Sequence, residues 1–245
     1  MDHERDLDPR IVSRIGGALM LSMIALGAFG QAVVQPGLDV AADSAVTAAN
    51  GQTISRLGIG AALALLACGI ALAVILNFLM RPVSQKLARL ASALLLIGVT
   101  AEVIAALHTL GALSPLGHGV DVVALSLGRD HNMKTVPGGA LGFNIAMGFV
   151  GSSELVLAYL LIRSEYLPRT LGVLMLVGGL GYVINSSVAV LQPDLIGRLF
   201  PFTMVPGFFA EVSLGLWLLA NGVDIQAWTR VRAQGRLRST PLNSS

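Results

Sequence analysis

Six apolar runs of membrane-spanning length occupy most of this 245-residue chain. They predict helices over residues 12–35, 54–80, 87–113, 139–162, 170–192 and 201–222. About 20 helical residues cross a hydrocarbon core of about 30 Å, so each run is long enough to span a bilayer. Only 12% of the residues are charged, whereas a soluble domain has about 25%. We therefore expect an all-α, polytopic membrane bundle of six transmembrane helices.

The lysine and arginine residues predict the orientation of this bundle. Six spans put both termini on one side of the membrane, and that side would carry twelve of the sixteen basic residues. Because basic residues are enriched in cytoplasmic segments, both termini are predicted to be cytoplasmic, in the inner membrane of a bacterial cell. The expected organisation is a transmembrane bundle over residues 1–228, followed by a basic, disordered cytoplasmic tail over residues 229–245.

The sequence argues against several classes of function. Its single cysteine, Cys68, lies in an apolar run, so neither an intrachain disulfide nor a thiolate metal cluster is expected. The chain has no phosphate loop, dinucleotide fingerprint, serine-nucleophile motif or zinc-protease helix. We expect no metal or cofactor and no nucleic-acid partner. The expected partners are membrane lipid and a lipophilic small molecule, and the sequence leaves the oligomeric state open.

Three glutamates, Glu102, Glu154 and Glu211, interrupt the apolar runs. A carboxyl group at bilayer depth is costly unless it is protonated, paired or hydrated, so an intramembrane acid indicates a functional site by default. Given the rise of an α-helix, we expect Glu102 and Glu211 within about 5 Å of the bilayer centre and Glu154 slightly nearer the cytoplasm. No lysine or arginine lies at their depth. These three carboxyl groups are the candidate catalytic or proton-carrying residues.

Helical phase adds polar and small neighbours to these acids. Gly207, Glu211 and Gly215 share one face of the sixth helix, which predicts that the carboxyl group points into the bundle. The candidate substrate-binding residues at similar depth are Asn185, Tyr182, Asn144 and His108. A hydrogen bond to a neighbouring helix is the commoner use of a membrane asparagine, and it is the favoured alternative for Asn144.

Nearly the whole chain resembles a known membrane family. The similar segments are MRPVSQKLARLAS (80–92), RTLGVLMLVGGLGYVINS (169–186) and EVSLGLWLLANGVDIQAW (211–228). They resemble a bacterial six-helix family catalogued as a domain of unknown function, whose C-terminal signature reads ELSLxLWLLxKGV. The chain is identified as a divergent member, with Asn221 where the signature has lysine. The resemblance implies six helices and includes Glu211, but it implies no activity.

Three classes of function remain open. The leading hypothesis is a carboxylate-lined pocket within the bundle that binds a lipophilic small molecule. In its enzymatic form, a protonated glutamate would start the isomerisation or cyclisation of an isoprenoid-like substrate. The alternatives are a small proton-coupled transporter, in which Glu102 and Glu211 exchange protons, and a non-catalytic membrane subunit.

Overall fold

The computed structural model describes residues 8–34, 48–112 and 138–239, and within these ranges it contains seven helices and no strand. The helices are α1 (Pro9–Phe29, continued by a π-helical turn over Gly30–Val34), α2 (Ala48–Met80), α3 (Gln85–Ala112), α4 (Gly138–Arg163), α5 (Arg169–Leu191), α6 (Pro193–Ala220) and α7 (Ile225–Ser239). Helices α1 to α6 each contain a segment long and apolar enough to cross a membrane. The prediction of an all-α, six-span membrane protein is therefore confirmed.

The sixth helix starts eight residues earlier than the sequence predicted. It begins at Pro193, directly after Gln192, which is the single residue between α5 and α6. Proline is well tolerated in the first turn of a helix, because the amide hydrogen that it lacks would have no partner there. Asp194 adds a negative charge in the same turn, where it interacts favourably with the helix dipole. Residues 193–200, which lie between the fifth and sixth predicted helices, are thus the first part of α6.

The six spanning helices form a closed ring. Each packs against the next one along the chain, and α6 returns to pack against α1. The short turns after α2 and α4 account for the antiparallel neighbours. No short turn in the sequence accounts for the contact between α1 and α6.

Glycines allow two of these helix pairs to approach closely. A Cβ atom on Gly151 of α4 would lie 2.7 Å from the carbonyl oxygen of Gly179 on α5. A Cβ atom on Gly17 of α1 would lie 2.6 Å from the backbone nitrogen of Leu219 on α6. Membrane helices commonly associate through such small residues, because lipid provides no hydrophobic drive for helix contact. Gly17 therefore helps to close the ring.

The seventh helix covers the end of the ring that holds the turns after α2 and α4. Trp228 of α7 is buried, and its indole Nε1 donates a hydrogen bond of 3.3 Å to the carbonyl oxygen of Leu79. Tyr166, in the α4–α5 turn, donates a 2.7 Å hydrogen bond to the same oxygen. Asp224 caps the helix by accepting from the backbone nitrogen of Gln226 at 2.9 Å.

This arrangement differs from the predicted disordered tail. The sequence placed the end of the folded bundle at residue 228, whereas α7 extends over Ile225–Ser239. The predicted boundary therefore falls inside a helix. The physical reason has two parts: a capping aspartate starts the helix, and a buried tryptophan attaches its first turn to Leu79 of α2, which is distant in the sequence. Residues 240–245 of the predicted tail lie outside the described residues.

Candidate functional site

A cavity of about 270 Å³ lies within the ring and is lined by residues of all six spanning helices. Its wall extends from Gln31 and Phe200, toward the end of the bundle away from the turns, to Leu76 and Leu157. Most of the lining is hydrocarbon, thioether or aromatic. Glu102, Glu154 and Glu211 all line this one cavity, so the structure brings the three candidate acids together.

Glu154 is the most deeply buried of the three acids. Its side chain is 4% exposed, and neither carboxyl oxygen has a hydrogen-bond partner among the described residues. The carboxyl group of Glu211 is its titratable neighbour in the same cavity. Two adjacent carboxyl groups in apolar surroundings do not readily ionise together, because like charges repel and each loses hydration. The arrangement suits a pair that keeps one proton and carries at most one negative charge.

Glu211 and Glu154 lie close to the middle of their spans. Residue 211 is the midpoint of the apolar segment Phe202–Ala220, and residue 154 is two residues past the midpoint of Leu141–Arg163, which is about 3 Å along a helix. Glu211 is partly exposed and lines the cavity, whereas Glu154 is almost completely buried. Of this pair, Glu211 is therefore the acid that a molecule in the cavity would meet.

Glu102 connects the main cavity to a smaller one. A second pocket, of about 90 Å³, is formed by α1, α2 and α3 with Phe143 of α4, and Glu102 lines both spaces. Gly27 of α1 lies near this carboxyl group, since a Cβ there would be in ordinary van der Waals contact with Oε1, at 4.0 Å. The π-helical turn that continues α1 contributes Gly30, Gln31 and Val34 to the smaller pocket. Single π-helical turns occur frequently at functional sites.

Tyr182 is the candidate substrate-binding residue that the structure places in the cavity wall. Its side chain is 6% exposed, and it lines the same cavity as all three glutamates. Its ring lies against Gly207 of α6, where any side chain would overlap it. Gly207 stands one helical turn before Glu211, so the small-residue face predicted from the sequence is the surface on which the tyrosine packs.

Asn185 and Asn144 occupy a different position. The Asn185 side chain is fully buried, its Nδ2 donates to Oδ1 of Asn144 at 2.7 Å, and its Oδ1 accepts from Thr203 at 2.9 Å. These bonds connect α4, α5 and α6, and neither asparagine lines the cavity. The geometry is that of an interhelical polar cluster. The sequence did not single out Thr203, whose hydroxyl also bonds to the carbonyl oxygen of Leu199 in its own helix at 3.0 Å.

The side chain of His108 lies outside the described residues, so its predicted role stays a prediction.

Sequence reasoning missed most of the cavity wall. On α6 the wall is a stripe of Phe200, Met204, Phe208 and Glu211, spaced four, four and three residues apart. Such spacing marks one helical face, so extending the face of Glu211 toward the start of the helix could have found it.

Comparison with known proteins gives one result. The model of a family described as a domain of unknown function (DUF4386) matches residues 15–222. The chain belongs to the DUF4386 family. No curated protein and no solved structure matches the chain. The DUF4386 match covers five of the six spanning segments completely and the first from residue 15 onward. It ends at Gly222, which has a φ of 69° and terminates α6. The predicted family resemblance is therefore confirmed, and the chain is a multi-pass membrane protein.

Proposed function

We propose that this protein binds a lipophilic small molecule in the cavity between its six helices, with Glu211 meeting the polar or reactive part of that molecule. One observation carries the proposal: carboxyl groups from three different helices face a single apolar cavity. Ligand sites in proteins are typically concave and mostly apolar, with a few convergent polar groups that fix orientation. A purely structural subunit would have no need for buried acids that lack hydrogen-bond donors.

The proposal is tested with a neutral lipophilic fluorescent dye, Nile red, added to the purified protein in lipid nanodiscs. Met204→Trp would fill the cavity from α6, and we expect it to abolish saturable dye binding while circular dichroism stays unchanged. Glu165→Gln is the control, because Glu165 is an exposed residue of the α4–α5 turn, outside the cavity. Equal binding by wild-type protein and Met204→Trp would place the dye elsewhere and contradict the proposal.

A chemical step at the same site is supported by the adjacency of Glu154 and Glu211. A protonated carboxyl group would give its proton to an alkene carbon, so that an O–H bond breaks and a C–H bond forms. The neighbouring carboxylate would then remove a proton from an adjacent carbon, which moves the double bond and returns one proton to the pair of acids. Isomerisation of an isoprenoid-like alkene in D₂O should therefore introduce deuterium, detectable by mass spectrometry. Absence of both the shifted alkene and deuterium would eliminate this step.

Proton-coupled transport is the second candidate function. The position of Glu102, which borders both the main cavity and the smaller pocket, favours it, because a proton could pass from Glu211 toward that side of the bundle. In liposomes, movement of a lipophilic substrate should then be accompanied by a change in internal pH. Substrate movement without any proton movement would eliminate this candidate.

A further inference from the structure

We propose that the cavity ligand is a lipophilic organic cation, such as an arylalkyl ammonium, which replaces the proton held by the Glu154–Glu211 pair. This inference rests on the proposed function and names the class of its ligand. It depends on three features of the cavity: the sign of its charges, the chemistry of its walls, and the unpartnered oxygens of Glu154.

The titratable groups that face the cavity are all acidic. They are Glu102, Glu154, Glu211 and the phenol of Tyr182, and no lysine, arginine or histidine is among the lining residues of the described chain. Carboxyl groups at bilayer depth need a proton, a partner or water. A ligand with a positive charge would supply the missing partner, whereas an anionic ligand would add to the repulsion.

The walls of the cavity suit an organic cation better than a metal ion. Five of the chain's eight methionines line it, and its four aromatic residues are Phe143, Phe200, Phe208 and Tyr182. Aromatic faces attract ammonium groups, and methionine side chains adapt to irregular apolar shapes. A hard cation such as Ca²⁺ prefers about 6–8 oxygen ligands, which this mostly hydrocarbon lining does not provide.

Glu154 gives the second, independent indication of a ligand. Both of its carboxyl oxygens are buried and unpartnered within the described chain, although the residue borders an open cavity. A buried acceptor without a donor is uncommon in a folded protein. A primary or secondary ammonium group would donate to Glu211, which lines the cavity. Either this group or a quaternary ammonium group would neutralise the charge on the pair.

Cation binding would therefore exchange with a proton. As the ammonium group arrives, one carboxylic O–H bond breaks and the proton passes to water. The acid pair then carries the negative charge that the ligand neutralises. Affinity should rise with pH, because protons and ligand compete for the same carboxyl groups. Glu102 and Tyr182 face the same space, so their protonation belongs to the same equilibrium.

The test compares two molecules of nearly identical shape. Benzyltrimethylammonium carries a positive nitrogen where neopentylbenzene carries a neutral carbon. Titration calorimetry on the full-length protein should show that the cation binds at least about tenfold more tightly, a difference of about 1.4 kcal/mol. Repeating the titration in buffers of different ionisation enthalpy should reveal release of about one proton per bound cation, as linkage requires.

Variants separate the ligand class from the existence of the site. Glu211→Gln should abolish proton release and weaken cation binding at least about tenfold while retaining the neutral isostere. The exposed Glu165→Gln control should behave as wild type. Equal affinity for both molecules, or cation binding without proton release, would overturn the cation inference and leave the lipophilic pocket intact. Binding of neither molecule to a protein that also fails to bind Nile red would overturn both proposals.

Discussion

Replacing Glu154 by methionine should make the protein more stable. The carboxyl group is buried, and both of its oxygens lack a hydrogen-bond partner in the described chain. An unsatisfied buried polar group costs about 1–3 kcal/mol, which an apolar side chain of similar size recovers. Methionine is the appropriate replacement, because the position lies against Gly179 of α5 and a Cβ there would be 3.0 Å from the Cβ of Glu154. A β-branched residue would crowd this contact.

The expected gain is measurable by heating the protein in detergent. For a chain of this length, 1 kcal/mol corresponds to about 2–4 °C in Tm, so the variant should unfold about 2–12 °C higher. Size-exclusion chromatography with tryptophan fluorescence detection follows the fraction that remains folded. Ser153→Ala is the matched control at the preceding residue. It removes a 2.7 Å hydrogen bond to the carbonyl oxygen of Ala91 and should lower Tm slightly, because such bonds average about 0.6 kcal/mol in membranes.

A lower Tm for Glu154→Met would refute this reasoning. It would mean that the interaction between Glu154 and Glu211 stabilises the fold by more than the burial of the carboxyl group costs. A higher Tm combined with loss of ligand binding would instead identify Glu154 as a residue kept for its function at a cost in stability.

Three further predictions concern the surroundings of the cavity. Asn185→Leu breaks two side-chain hydrogen bonds. Because each such bond contributes about 0.6 kcal/mol in a membrane, thermal unfolding should show that the free energy of unfolding falls by about 1 kcal/mol. An unchanged Tm would contradict the structural role of that cluster. Burial raises the pKa of Tyr166, in the α4–α5 turn, above its ordinary value of about 10. Folding therefore holds a proton that the unfolded chain loses, and stability should fall as pH rises above about 10. In thermal melts at increasing pH, Tm should decline less for Tyr166→Phe than for the wild type. An equal decline in both proteins would refute the role of Tyr166. Gly207→Leu would overlap the ring of Tyr182, so Nile red binding should fall sharply, and normal binding would mean that the ring can move freely aside.

The sequence predicts those features that depend on a single helix. The depth of Glu211 and the face on which it lies follow from the length and period of α6 alone, and the structure places that face toward the cavity. The six spans follow from apolar length in the same way. By contrast, the contact between α1 and α6 depends on residues about 200 positions apart, such as Gly17 and Leu219. No local pattern specifies that pairing.

Polar residues were harder to interpret because their roles depend on which partner lies opposite. Asn185 and Tyr182 are three residues apart on α5, at neighbouring depths. The tyrosine lines the cavity, whereas the asparagine is hydrogen-bonded to Asn144 and Thr203. Helical phase alone cannot distinguish these outcomes, since both side chains face inward.

The seventh helix was missed for a related reason. Its attachment depends on a hydrogen bond from the buried Trp228 to Leu79, which is a contact between distant parts of the chain.

The C-terminal family signature combines two physical roles, and one pair of variants would separate them. Gly222 ends α6 with a φ of 69°, a conformation that costs a residue with a side chain about 1 kcal/mol or more. A Cβ there would also lie 3.0 Å from Oγ of Ser13. Gly222→Ala should therefore lower Tm while the affinity of the folded protein for benzyltrimethylammonium stays unchanged. Glu211→Gln should weaken binding of this cation without lowering Tm, because Glu211 lines the cavity. If Gly222→Ala instead weakened ligand binding as much as Glu211→Gln does, helix termination and the cavity would have to be coupled, and the division of the signature into a folding part and a binding part would fail.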